Sequence, residues 1–204
     1  MGGGGGGGGP ALGYLFGLLG TLTLVKSAST LQAEQYLAPF ARGEKICAFA
    51  LSEPDAGTNS FNIKTTAVAE GGGFRINGNK WFITNIDNSD ALLLVAKTAP
   101  SGKEAVKSGS LSLFLIDLPN ESLDYTPIPK HGFNYYKSNQ LFIEDLFVPE
   151  SALVGTLGKG FASLAPTLNA ERLLVAAGSI GLARLALSSA VLYASERVVF
   201  DVPI

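Results

Sequence analysis

The sequence predicts an α+β fold: a closed or sandwiched antiparallel sheet flanked by helices. Three observations carry that reading. Between residues 45 and 150, short β-rich runs follow one another with turn signals between them. The stretches before and after, 27–44 and 151–204, carry helical spacing instead. The 204 residues are 47% hydrophobic and 16% charged, a globular composition with enough chain for one or two domains.

The elements follow in order. "MGGGGGGGGP" (1–10) has almost no side chains to bury and reads as a disordered tail or a sequence artefact. "ALGYLFGLLGTLTLV" (11–25) is uncharged, yet shorter than the ~20 apolar residues of a membrane span. It also lacks the basic start of a signal peptide, so 1–26 reads as a Gly-rich tail and an apolar packing lead-in. Residues 27–44 read as a helix with Leu31, Tyr36 and Leu37 near one face, ended by Pro39 and Gly43. "KICAFALS", "FNIKTTAVA", "ALLLVAK", "LSLFLID" and "NQLFIEDLFV" read as strands. Asn77-Gly78, between two β-rich runs of "GFRINGNKWFITN", is the strongest hairpin cue in the chain. Residues 98–110 are a loop on composition, and Pro149 marks the next boundary. Beyond it the chain is helical, with Leu164, Leu168, Val175, Leu182 and Leu185 at helical spacing and a kink expected near Pro166. Ala176, Ala177, Gly178 and Gly181 would let a neighbour come close. Such a helix needs partners, and the sequence stops at "FDVPI" without supplying them, so an incomplete chain is expected.

Composition narrows the chemistry. A net charge of −2 offers no electrostatic footprint for nucleic acid. One cysteine, Cys47, can form neither an internal disulfide nor a thiolate cluster, and one histidine, His131, argues against zinc or non-haem iron. No metal site is therefore expected, and redox chemistry would need an organic cofactor. His131, near a turn glycine, reads as structural or solvent-facing. "FALSEPDAGTNS" (49–60) sets Ser52, Glu53, Thr58, Asn59 and Ser60 around Pro54 and Gly57. Taken alone, that stretch reads either as a solvated loop or as polar groups aimed at an anionic or heteroaromatic ligand.

Three separated stretches bear on the choice. "LSEPDAGTN" is similar to the first signature of the acyl-CoA dehydrogenases, an acidic-Pro-x-x-Gly-Ser/Thr pattern. "INGNKWFITN" (76–85) resembles their second signature, and "LNAERLLVAAGSIGLARLALSSAVLYASERVVF" (168–200) resembles the first long helix of their C-terminal bundle. Order and separations match as well, and the resemblance runs from about residue 27 to the end. It implies the end of an N-terminal helical domain (27–44), a middle β-barrel domain (45–150) and the first helix of an incomplete C-terminal helical domain (151–204).

The resemblance also implies FAD-dependent oxidation of an acyl-CoA to the 2,3-enoyl-CoA, a base taking the α-proton and a β-hydride passing to flavin N5. Phe82 would stack on the flavin, with Ile83 beside it, and Thr84 would donate its hydroxyl near N5. Phe49, Leu51 and Ser52 would border the pyrimidine side. Gly57 and Thr58 would approach the diphosphate or the thioester, glycine being apt because its backbone can come close. For Trp81 and Phe82, read without the family, ordinary core packing is the alternative. Arg197 and Phe200 match residues that reach the FAD of a neighbouring subunit, although Asp201 replaces the usual glycine after Phe200. Asn169 and Arg172 would line the acyl-CoA pocket. Glu171 stands where a minority of the family carries its base; the alternatives are an ion pair with an arginine or a solvated position. The implied partners are an acyl-CoA substrate, an electron-transfer flavoprotein and further copies in a dimer or tetramer, without nucleic acid or a membrane span. Localisation would be cytoplasmic in a bacterium and the mitochondrial matrix in a eukaryote. Two other outcomes stay open: a remnant that folds or associates without FAD, and an acyl-CoA oxidase.

Overall fold

The computed structural model describes residues 9–99, 110–132 and 134–204. Of the tail expected over residues 1–10 and the loop expected over 98–110, residues 1–8 and 100–109 lie outside the described residues; Gly9 and Pro10 open a helix, and Thr98 and Ala99 end a strand. The chain divides into two compact units, 1–167 and 168–204.

In the first unit, α1 (Gly9–Ser27) packs against β1 (Cys47–Ala50). Contact this close needs Gly20: a Cβ there would lie 2.6 Å from Cys47 Sγ. Next come α2 (Thr30–Gln32), a π-helical turn (Ala33–Leu37) and α3 (Ala38–Ala41). Ser29 caps α2 in a reciprocal capping box with Gln32. Tyr36 is buried as its spacing predicts, but Leu31 is exposed. Gln32 takes the inward position instead, because its amide donates to the Ser151 and Leu153 carbonyls at 2.8 and 3.1 Å. Pro39 falls inside α3, and Gly43, at φ +70°, turns the chain just beyond it.

One eight-stranded sheet follows. Its strands are β1, β2 (Thr66–Glu70), β3 (Gly73–Thr84), β4 (Ala91–Ala99), β5 (Leu111–Asp117), β6 (Leu123–Pro127), β7 (Ser138–Pro149) and β8 (Leu153–Val154). The order is β6-β7-β3-β2-β4-β5-β8, with β1 also on β4. The fold class is α+β as expected, but two features of the sheet differ from the expectation. Among the described residues the sheet does not close, β6 and β8 each having a single partner strand. It is also mixed, since β1 and β2 run parallel to β4, one along each half of it. The core is the inner face of this sheet, where Ile76, Ile83, Leu92, Leu94, Phe114, Leu141 and Leu146 pack together.

The hairpin expected at Asn77-Gly78 is absent. The turn lies at Gly71-Gly72, both at positive φ, and β3 runs on through Asn77 and Gly78. Gly78 serves close approach: a Cβ there would meet the Thr65 Cα at 2.7 Å. Asn77 marks a bulge, since the register with β7 shifts between Ile76 and Gly78. Its side chain accepts the Asp145 amide at 2.8 Å and donates to the Asp145 carboxylate at 3.2 Å.

The last helix, α4 (Gly160–Glu196), is 37 residues long and continuous through Pro166. Its first turns belong to the first unit, where Leu164 is buried and the Thr23 and Thr167 hydroxyls meet at 3.0 Å. From Leu168 on it forms the second unit with a hairpin of β9 (Val198–Val199) and β10 (Val202–Pro203). Val175, Leu182 and Leu185, expected on a packing face, are exposed, as are Leu173, Ile180 and Leu187 on other faces. By length and composition alone α4 is long and apolar enough to cross a membrane, a test that the core helix of a soluble protein also passes. The same all-round apolar composition suits a helix enclosed by others.

Candidate functional site

The loop after β1 is built around a buried charge. Glu53 and Ala56 exchange backbone hydrogen bonds at 3.0 and 3.1 Å, closing a turn over Pro54-Asp55. The Glu53 side chain points inward and is 7% exposed. Its carboxylate accepts the Lys64 amide at 2.5 Å, the Thr65 amide at 3.0 Å and the Thr65 hydroxyl at 2.5 Å. The fourth partner is Lys80 on β3, fully buried, whose ammonium donates to Glu53 Oε1 at 2.8 Å and to the Leu51 carbonyl at 3.0 Å. Burial pushes the Glu53 carboxyl up, but the Lys80 charge and these donors outweigh it and hold it below its ordinary range. Burial pulls Lys80 down to about 8 against the opposing attraction of Glu53. Near neutral pH both groups are charged. Glu53 is therefore not part of a merely solvated loop, and sequence reasoning gave Lys80 no role. The sequence carries little signal for the pair: Lys80 follows the polar Asn77-Gly78-Asn79, and Glu53 lies between Ser52 and Pro54.

Next to Lys80 the Trp81 amide donates to the Ser52 carbonyl at 2.8 Å, so the two sequence motifs meet along their backbones. The register of β3 with β7 breaks between Lys80 and Ile83, making a second bulge. At its apex Phe82 adopts φ 61° and stands 62% exposed, edge-on to Trp81 with centroids 5.8 Å apart. Left-handed backbone costs a non-glycine residue roughly 1–2 kcal/mol, and exposing a phenyl ring adds to that. Core packing is therefore ruled out for Phe82, while Trp81 is half-buried. Ile83 points the other way, into the core, so its side chain is excluded from a surface site; its carbonyl accepts from the buried Asn139 side-chain amide at 3.3 Å. Thr84, half-buried, lies two residues beyond the Phe82 apex.

Hydrogen bonds thus hold Leu51 and Ser52 against Lys80 and Trp81, the residues just before Phe82, with Phe49 half-buried on β1 and Thr84 farther along β3. Gly57 and Thr58 are exposed at the far side of the Glu53 turn, and a Cβ on Gly57 would meet nothing within 4 Å. That is open backbone a ligand can approach. Phe61, farther along the same loop, stacks on Phe161 at the start of α4 with centroids 4.5 Å apart.

The remaining site residues lie in the second unit. Arg172 donates to Asn169 Oδ1 at 2.9 Å, one turn apart on α4. Between them, burial raises the Glu171 carboxyl above its ordinary value, and the neighbouring Arg172 charge only partly offsets this. Arg172 therefore does not keep Glu171 at an ordinary acidity. Phe200 and Asp201 form the two-residue turn between β9 and β10, both at positive φ, with Phe200 95% exposed. Arg197 is exposed beside that hairpin and accepts the Ile204 amide through its carbonyl at 3.1 Å. His131 is exposed, as its position suggested. Among the described residues no cluster of His, Cys, Asp and Glu could hold a metal.

Comparison with known proteins matches residues 48–146 to the acyl-CoA dehydrogenase middle domain and residues 158–204 to the acyl-CoA dehydrogenase C-terminal domain. The acyl-CoA dehydrogenase FadE12 of Mycobacterium tuberculosis is 37% identical over 187 residues, 91% of this chain and 47% of that protein. The caffeyl-CoA reductase-Etf complex subunit CarC of Acetobacterium woodii is 37% identical over 178 residues, 87% of this chain and 46% of that protein. A glutaryl-CoA dehydrogenase from Mycobacterium smegmatis, solved in complex with FADH2, superimposes with TM-score 0.80 at 26% identity, covering 90% of this chain and 45% of that one. The chain spans about half the length of the curated relatives it matches.

Proposed function

From the premise that this chain belongs to the acyl-CoA dehydrogenase family, we propose that it supplies the flavin-facing wall of an enzyme removing the α- and β-hydrogens of an acyl-CoA. The single observation that carries this reading is Phe82: an exposed ring held on a strained bulge, hydrogen-bonded through its neighbour to the loop of the first motif. A surface aromatic kept in an unfavourable backbone conformation points to function rather than stability.

The residues fit a flavin. Phe82 offers an exposed apolar face, Thr84 and Ser52 carry hydroxyls on the same two segments, and Gly57-Thr58 offer open backbone for a diphosphate. Bound FAD would supply the acceptor for the β-hydride. The chain's own work is to orient and to move a proton. Phe82 would hold the flavin ring against its exposed face, and Thr84 would offer the flavin a hydroxyl. Glu171 takes the α-proton of the thioester, its burial raising proton affinity toward that task. Asn169 and Arg172, tied to each other, flank it in the acyl-CoA pocket. Arg197 and Phe200 serve the FAD of a second copy, and reoxidation goes through an electron-transfer flavoprotein, a partner named for the related CarC.

Titrating the 204 residues with FAD, read through the single tryptophan, tests this. Saturable quenching of Trp81 is expected, with binding weak enough for FAD to be lost on gel filtration, because this chain spans only about half of its relatives. A colourless protein whose Trp81 emission ignores FAD would sink the flavin reading in favour of a remnant that folds without it.

With FAD in excess, Thr84→Val should slow flavin reduction more than it weakens acyl-CoA binding. The lost hydroxyl acts in the transition state, where one such bond is worth about 1–3 kcal/mol, or roughly 5- to 100-fold in rate. Equal stopped-flow reduction rates in variant and parent would remove Thr84 from the mechanism.

A further inference from the structure

The geometry points to the buried Glu53–Lys80 pair as a positioning device that locks the 51–58 loop and the Phe82 bulge into one preformed unit before any cofactor arrives. The cofactor part of this inference rests on the flavin reading above; the coupling of the two segments does not.

The pair sits where the two motifs meet. Lys80 reaches across to the Leu51 carbonyl and the Glu53 carboxylate, and the next residue, Trp81, donates to Ser52. From the other side Glu53 gathers the Lys64 and Thr65 amides and the Thr65 hydroxyl, fixing the far end of the loop. Of the residues assigned a cofactor contact in the first unit, Leu51, Ser52 and Phe82 lie within two positions of Glu53 or Lys80, and Gly57 and Thr58 lie between Glu53 and Lys64. Hydrophobic replacements of similar size often stabilise a protein as well as a buried ion pair does. What the ionic version adds here is directionality: one ammonium must satisfy a carbonyl on the loop and a carboxylate in the turn together. That fixes Ser52 relative to Trp81, and so the loop relative to the Phe82 ring. Neither residue touches the ligand edge; both act through the backbone they hold.

The experiment compares the 204-residue parent with Glu53→Gln/Lys80→Met, which removes both charges at near-constant volume. Hydrogen exchange is followed at the Trp81, Lys64 and Thr65 amides and, as reference, along the β4–β5 ladder. FAD affinity is read by Trp81 quenching. Expected is exchange at the first three amides faster by about tenfold or more, with the β4–β5 ladder unchanged, and an FAD half-saturation weaker by a similar factor. Unchanged exchange at Trp81, or equal acceleration along β4–β5, overturns the coupling. Faster Trp81 exchange with unaltered FAD affinity overturns the link to the cofactor. If the parent itself does not respond to FAD, the flavin reading fails while the exchange data decide the coupling alone. Should the doublet not fold, Thr65→Val decides instead: it removes one hydroxyl from Glu53 and keeps both charges. Selective acceleration at Trp81 in that variant supports the coupling, and none overturns it.

Discussion

Lys80→Met alone should destabilise the first unit by about 3–5 kcal/mol, the usual result of stranding one partner of a buried pair. Methionine fills the space, so packing is nearly conserved and the loss comes from the stranded charge and from the Leu51 carbonyl, which loses its donor. What remains is a carboxylate, 7% exposed, that keeps its bonds from Lys64 and Thr65 and loses its counter-ion. Urea unfolding measures the loss, and adding Glu53→Gln to Lys80→Met should recover most of it, because the stranded charge is then gone. A Lys80→Met midpoint within error of the parent would mean that Glu53 is neutral when folded. The pH dependence has a definite sign on each side. Glu53 is depressed, so its contribution is present above about 4.5 and is lost as the pH falls through its lower folded value. Lys80 is depressed from 10.5 to about 8, so between those values the unfolded chain binds the extra proton. Stability from Lys80 therefore rises with pH across that window, and the parent's advantage over Lys80→Met should widen there.

Glu171→Gln should abolish turnover while leaving acyl-CoA binding nearly intact. Glutamine keeps the size and some hydrogen bonding but cannot take a proton, and loss of a positioned base costs roughly 10²- to 10⁴-fold. The experiment uses excess FAD and anaerobic addition of acyl-CoA, with flavin bleaching as the readout. Since burial raises Glu171, the parent rate should climb with pH through a value above 4.5 as the carboxylate forms. The Gln variant should show no such climb. Bleaching at the parent rate in Glu171→Gln would move the base to another segment and leave Glu171 a structural residue.

The parts of this molecule legible in the sequence are those that depend on neighbours along the chain. The apolar run of β1 and the small-residue helix α4 each follow from local composition. The Asn77-Gly78 misreading shows the limit. An Asn-Gly pair in a strand-rich stretch signals a two-residue turn, yet here Gly78 exists because Thr65 presses against it and Asn77 because Asp145 faces it. Both partners are distant in sequence. The same holds for the parallel pairing of β1 and β2 with β4, which no local period encodes. At the site, Ser52, Gly57, Phe82 and Thr84 were named through the family resemblance and not by the residues alone. Lys80 stayed hidden because an isolated lysine in a polar-looking stretch reads as solvated, and only its partner 27 residues away reveals otherwise.

The fit of Gly20 over Cys47 has a practical consequence. Burial raises the thiol to about 12, so near neutral pH it is almost wholly protonated as well as enclosed. An alkylating reagent can reach it only when α1 lifts from β1. Labelling of the one cysteine then becomes a clock for that opening: its rate is the intrinsic thiol rate multiplied by the fraction of time the seam is open. Gly20→Ala, which sets a methyl against the sulfur, should make the clock run faster. A labelling rate unchanged by Gly20→Ala would place the opening elsewhere in the unit.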